Sequence, residues 1–128
     1  MAAPTLVYGG TTVTLPFPAR GGRNDREYDE RRTEKRTLAG QLRTMRTSRG
    51  YIYHLNFVHE LVSTYDAIIG VWEAALAAGG YPTFTWSAGP WSTATGGVTV
   101  AVKVSPIPTE HDFTRADFTL ELVEVPPR

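Results

Sequence analysis

The stretch Tyr51–Ala78 reads YIYHLNFVHELVSTYDAIIGVWEAALAA, and its hydrophobic period changes partway along. Up to Val58 large apolar residues occupy every second position, which is typical of a half-buried β-strand. From Tyr65 onward apolar residues recur every three or four positions, which predicts an amphipathic helix. A strand followed by such a helix predicts a sheet with the helix laid on it. The side chains expected to pack together are Tyr51, Tyr53, Leu55 and Phe57 from the strand and Ile68, Ile69 and Trp72 from the helix.

The ends of this helix also carry sequence signals. Ser63 is the predicted N-cap, with Asp66 three residues later in the position of a capping box. Gly79-Gly80 predicts a left-handed C-terminal cap, and Pro82 prevents the helix from continuing. The apolar stripe between these ends comprises Tyr65, Ile68, Ile69, Trp72, Ala75 and Leu76.

The remaining strands are predicted by alternation and by turn residues. Gly9-Gly10 indicates a tight hairpin between Thr5–Tyr8 and Thr11–Phe17. Arg49-Gly50 reads as a turn, which predicts a long hairpin of about Glu34–Arg49 with Tyr51–Val58. Three later segments are predicted strands: Pro82–Trp86, Val98–Val104 and Asp117–Val125. The expected fold is therefore α+β: an antiparallel β-sandwich or open barrel with one flanking helix and a long charged arm or hairpin, in a single domain over residues 1–128.

Charge is distributed very unevenly along this chain of zero net charge. Residues 20–49 hold ten bases and five acids, so they carry +5, whereas the remainder holds three bases and eight acids and carries −5. Gly21-Gly22 and dense mixed charges predict a solvated, protruding polar arm over about residues 19–36. A charged arm on an oppositely charged body indicates either self-assembly or binding to a polyanion.

The sequence offers no pattern typical of an enzyme or of a bound cofactor. No serine lies in a GxSxG elbow, and no GxGxxG or phosphate-binding loop is present. The chain lacks cysteine, and its histidines match no compact metal-ligand spacing. We therefore expect a non-enzymatic protein without cofactor or metal. The residues with ligand chemistry but without ligand spacing are predicted to be ordinary surface or interface residues: His54, His59, Glu60, Asp66 and His111-Asp112.

Two functional interpretations of the arm remain open. In one, arginines contact phosphates while Tyr51 and Tyr53 stack on bases. In the other, the mixed-sign arm crosses to a neighbouring copy, pairs charges and adds strands to its sheet. Five interspersed acids disfavour the first, since they would repel a polyanion. The arginines considered for phosphate contact are Arg20, Arg23, Arg26, Arg31, Arg32, Arg36, Arg43, Arg46 and Arg49.

The layout resembles the ring-forming proteins of long-tailed phages, namely the distal tail, tail-tip and tail tube proteins. The resemblance covers roughly Arg36–Val125 and rests on a polar arm followed, in order, by four stretches. These are RTLAGQLRTMRTSRGYIYHLNFVHEL, the helix TYDAIIGVWEAALAA, GGYPTFTW and the final strand ADFTLELVEV. Tail channels commonly have acidic linings, whereas this hairpin is arginine-rich. Either the arginines face another ring, or the acidic body faces the channel.

The resemblance implies a structural subunit of the virion tail, assembled in the host cytoplasm into a hexameric ring around the DNA channel. Its expected partners are further copies of itself and the neighbouring tail tube, tail-tip or hub proteins. DNA is expected to pass through the channel without specific binding, and no membrane is involved. The arm residues expected at the interface are Arg31, Arg32, Arg36, Arg43, Arg46 and Arg49.

Overall fold

The computed structural model describes residues 3–19, 24–36, 40, 42–87, 89–106 and 114–125, and it describes their side chains except at 29–36 and 42–49. This part of the chain forms seven strands, one α-helix and a short 3₁₀ turn. The helix α1 spans Val62–Ala77, and the 3₁₀ turn spans Ser92–Ala94. The strands are β1 (Thr5–Tyr8), β2 (Thr11–Thr14), β3 (Asp25–Arg36), β4 (Leu42–Leu61), β5 (Thr83–Thr85), β6 (Val98–Val104) and β7 (Arg115–Glu124).

All seven strands belong to one open sheet in the order β2-β1-β5-β6-β7-β4-β3. Every neighbouring pair is antiparallel. The predicted α+β class, with an antiparallel sheet and a single helix, is confirmed. In the described residues β2 and β3 are the two edge strands, and each pairs with one neighbour only.

The core lies on one face of the sheet, beneath α1. Cross-strand pairs such as Leu55↔Leu120 and Val102↔Leu122 align the apolar positions of successive strands. The predicted alternation in the last two long strands is confirmed, because Val98, Val100 and Val102 are buried together with Phe118, Leu120 and Leu122. The helix closes this face with Ile68, Val71 and Ala75. The opposite face carries mostly polar side chains and has no helix over it in the part of the chain described.

The predicted turn at Arg49-Gly50 is wrong. Gly50 lies inside β4, a continuous strand of 20 residues. The partner of this strand is β3. The sequence predicts these residues to be a solvated arm, because their dense charges show no alternation of apolar and polar positions. The register Asp29↔Gly50 and Arg36↔Leu42 replaces the predicted pairing of Glu34–Arg49 with Tyr51–Val58.

The helix begins differently from the prediction and ends as predicted. Leu61 is the N-cap residue and makes no side-chain capping bond, so Ser63 is not the cap. Because β4 runs straight into α1, the Val62 N–H is instead bonded to the Thr114 carbonyl at 2.9 Å. At the other end Gly79 has φ +72°, and the Gly80 N–H donates to the Ala75 carbonyl at 2.8 Å. This is the Schellman arrangement that the glycine pair predicts.

Both predicted turn glycines between β1 and β2 also have positive φ, at +60° for Gly9 and +85° for Gly10. The second strand is shorter than expected and ends at Thr14. Beyond it, the Leu15 N–H donates to the Pro4 carbonyl at 2.8 Å, which places the buried Leu15 in the core.

Two glycines near the helix should respond oppositely to alanine. Gly79→Ala should destabilise the fold by about 1 kcal/mol, because an L-residue is strained at its positive φ. Gly70→Ala should stabilise it by about 0.5–1 kcal/mol, since a Cβ there meets nothing within 4 Å and alanine favours a helix. Urea unfolding measures both changes. Shifts of the same sign would contradict the described helix end.

Candidate assembly interface

The β3–β4 hairpin extends past the rest of the sheet. Strand β4 pairs with β7 only over Ile52–Leu61, whereas it pairs with β3 from Leu42 to His54. Residues 29–36 and 42–50 therefore pair only with each other in the described structure, and we call them the ribbon. At about 3.3 Å per residue, eight paired residues span about 26 Å. A register shift between Arg31 and Arg32 interrupts the ladder within it.

The ribbon contains all six arginines predicted to form an interface. Its sequence holds seven bases and three acids, a net charge of +4. The backbone register places Arg32 opposite Arg46 and Arg43 opposite Lys35. The side chains of these residues lie outside the described part of the structure. The six are Arg31, Arg32, Arg36, Arg43, Arg46 and Arg49.

A buried carboxylate lies where the ribbon leaves the sheet. Glu124 is only 6% exposed, and its Oε2 accepts the Tyr51 N–H at 3.0 Å. Tyr51 directly precedes Ile52, which is the first β4 residue that pairs with β7. Gly50 lies directly beside this carboxylate, since a Cβ there would be in ordinary van der Waals contact with Oε2 at 3.4 Å. The Glu124 side chain thus satisfies a strand N–H at the point where backbone pairing with β7 stops.

A row of aromatic rings joins the root of the ribbon to the core. Tyr28 lies edge-on to Tyr51 at 5.6 Å, and the buried Tyr53 lies 5.3 Å from the Trp91 ring. The Arg26 guanidinium sits 4.6 Å over the Tyr51 ring and donates to the Thr93 hydroxyl at 3.2 Å. That hydroxyl is also 2.7 Å from the Tyr53 hydroxyl. The loop after β5 is therefore tied to the base of the hairpin.

The residues expected to pack together fall into two groups. Four of them are buried in the core, and the other three are half-buried. The apolar stripe predicted for the helix omits Val71, which is buried, and includes Leu76, which is exposed. The face of α1 that is buried is therefore rotated from the predicted one. The buried four are Tyr53, Leu55, Phe57 and Ile68, and the half-buried three are Tyr51, Ile69 and Trp72.

The uncovered face of the sheet carries a small acidic cluster beside the hairpin. His54 Nε2 lies 3.2 Å from the Glu27 carboxylate and 3.9 Å from that of Asp25. The register also places Glu121 opposite His54 on β7, with Lys103 opposite Glu121 on β6. Among the described residues, no group of three or more acids and histidines is arranged to hold a metal ion. His111-Asp112 lies outside those residues.

His59, another residue with ligand chemistry, lies in a β-bulge. Between Phe57 and Glu60, β4 advances one residue more than β7. His59 has φ +55°, which is rare for a residue other than glycine. The Asp117 carboxylate accepts its N–H at 2.8 Å, and the Arg115 guanidinium donates to its carbonyl at 3.1 Å. The bulge bends β4 at the point where the chain enters α1.

Comparison of the chain with models of protein families, with curated proteins and with solved structures found no match. No helix among the described residues is both long and apolar enough to span a bilayer.

Glu124 should matter for stability through the bond that it accepts. Glu124→Ala should cost about 1–3 kcal/mol, because the part-buried Tyr51 N–H loses its acceptor. Glu124→Gln keeps an oxygen acceptor and should cost less. Glu121→Ala, on the uncovered face of the same strand, is the matched control and should stay within about 0.5 kcal/mol. Urea unfolding compares the three, and equal losses for Glu124→Ala and Glu121→Ala would refute the role given to Glu124.

Proposed function

We propose that this chain is a structural subunit of a phage tail. It forms a hexameric ring of the distal tail or tail-tip type around the DNA channel, through sheet and arm contacts between subunits. The observation that carries this proposal is an open sheet with two edge strands whose long hairpin extends beyond it. A tail tube protein of the same fold is the alternative within this class.

The two edges of the sheet suit a head-to-tail contact. Strand β2 has four residues, Thr11–Thr14, and the part of β3 beside the body of the sheet, residues 25–28, also has four. Unpaired strand edges bind other strands readily, so natural proteins cover or close them. Pairing of β2 in one copy with β3 in the next uses both edges. Repeated around a rotation axis, it closes a ring and completes a barrel that one chain alone leaves open.

The charges of the uncovered face support its placement toward the channel. Asp25, Glu27, Asp117 and Glu121 contribute carboxylates to this face, against the two cations Lys103 and Arg115. A surface of net negative charge repels phosphates and would let DNA move through without binding. The arginine-rich ribbon is then directed to protein contacts, with neighbouring subunits or with the tail tube, tail-tip or hub proteins. The chain acts in the virion without catalysis or cofactor.

Shortening the ribbon tests this proposal. Arg32 and Arg46 are register partners, so an Asn-Gly turn can replace residues 33–45 and still close the hairpin. The shortened chain should fold but remain a monomer, while the parent chain, of 14.1 kDa per copy, should have about six times that mass by light scattering. Circular dichroism checks that the variant is folded. An oligomer of unchanged mass after shortening would contradict the role of the ribbon.

One observation favours a nucleic-acid-binding module as a second candidate. Arg26 stacks over Tyr51 beside Tyr28, which is 49% exposed, at the base of a ribbon of charge +4. Aromatic rings next to arginines are typical of surfaces that bind single strands. This alternative predicts submicromolar binding to a single-stranded oligonucleotide, a steep salt dependence and a clear loss in Tyr28→Ala. The tail-ring proposal predicts no such binding, and fluorescence anisotropy at two salt concentrations separates the two.

A further inference from the structure

One flank of α1 exposes apolar side chains between acids. The sheet buries Ile68, Val71 and Ala75. Beside this buried face, Asp66, Ile69, Glu73 and Leu76 follow at spacings of three, four and three residues, which places them on one side of the helix. We call these four residues, together with Trp72 and Tyr81, the α1 flank.

The α1 flank exposes apolar side chains next to acids. Leu76 is 55% exposed and Tyr81 is 44% exposed, and the Tyr81 ring lies 6.2 Å from that of Trp72. Asp66 and Glu73 are both exposed, and α1 contains no Lys or Arg. The flank therefore combines an apolar patch with two negative charges. Such a combination suits a partner surface that is positively charged and partly apolar.

The ribbon has the complementary composition. Its net charge is +4, and its sequence includes Leu42 and Met45 among the arginines. Ion pairs at a surface contribute little by themselves, so a stable contact also needs this apolar part.

The positions of the two surfaces favour contact between different copies. The helix packs against β1 and β2, at one edge of the sheet, and also against β4 and β6. The ribbon extends from β3 and β4 at the other edge. A contact that joins one edge of a subunit to the opposite edge of the next repeats head to tail, and such contacts close into rings.

We propose that the ribbon of one copy docks on the α1 flank of the next copy. This inference rests on the proposed ring and names the surface that receives the arm. Ribbon arginines pair with Asp66 and Glu73, while Leu76 and Tyr81 lose their exposure to water. The same neighbour presents β2 to β3, so the edge pairing and the ribbon contact involve one pair of subunits.

Charge reversal with rescue tests the docking. Asp66→Lys with Glu73→Lys should lower the assembled fraction at least about tenfold, because like charges would then face each other. Arg43→Glu with Arg46→Glu should do the same, and the four changes combined should restore assembly. Glu121→Lys, on the uncovered sheet face, is the control and should leave the α1 contact intact. Light scattering gives the mass in each case.

The outcomes separate this inference from the proposed ring. A parent chain that stays monomeric overturns both. A parent chain that assembles, with helix reversals that leave its mass unchanged, overturns the docking alone. The docking is also overturned if each pair of reversals dissociates the ring and the combined variant does not reassemble. Thermal melting must show that all variants are folded.

Engineered cysteines give a second, geometric readout. The chain contains no cysteine, so Leu76→Cys and Met45→Cys can be introduced singly and the two proteins mixed under mild oxidation. The mixture should yield a disulfide-linked pair containing one copy of each variant. Leu76→Cys mixed with Lys103→Cys is the matched control. Docking on this flank is contradicted if Leu76→Cys and Met45→Cys link no faster than the control pair.

Discussion

The structure depends on a difference in length between two neighbouring strands. Strand β4 has 20 residues, whereas β7, which joins it to the rest of the sheet, has 10. The C-terminal half of β4 places Tyr53, Leu55 and Phe57 against β7 and the helix, and this buried face holds the strand in register. Among the described residues the other half pairs only with β3. The ribbon is thus a consequence of a long strand anchored at one end.

The anchoring point is where local chemistry is most specific. Backbone pairing with β7 stops at Ile52, and the Glu124 carboxylate then accepts the next strand N–H, that of Tyr51. Gly50 lies beside this carboxylate. Arg26, Tyr28 and Tyr51 continue the aromatic contacts outward from the core, so the base of the ribbon is held by packing on one side and by a buried carboxylate at its edge.

The sequence predicted those elements whose signal is local. The alternation of Val98–Val104, the period of α1 and the glycines at its end all reflect contacts within a few residues. The place of Gly50 in a strand has no local signal, because its neighbour Glu124 is 74 positions away in the chain. An Arg-Gly pair in the sequence is instead typical of a turn. Strand β3 was missed because its charged residues show no apolar alternation. The sequence predicts Ser63 as the cap because it does not reveal that β4 continues directly into the helix. Glu124, which lies at the base of the candidate interface, gave no signal beyond its place in a strand.

Among the described residues the sheet has two edge strands and an extended, charged hairpin, and the proposed head-to-tail ring would give each of them a partner from the same neighbour. A reconstruction of the assembled chain by cryo-electron microscopy tests this most directly. We expect a ring with a central channel, in which β2 of each copy adjoins β3 of the next and the ribbon crosses the neighbouring α1. A two-fold dimer joined through like edges, or a ring whose ribbons point away from α1, would contradict it.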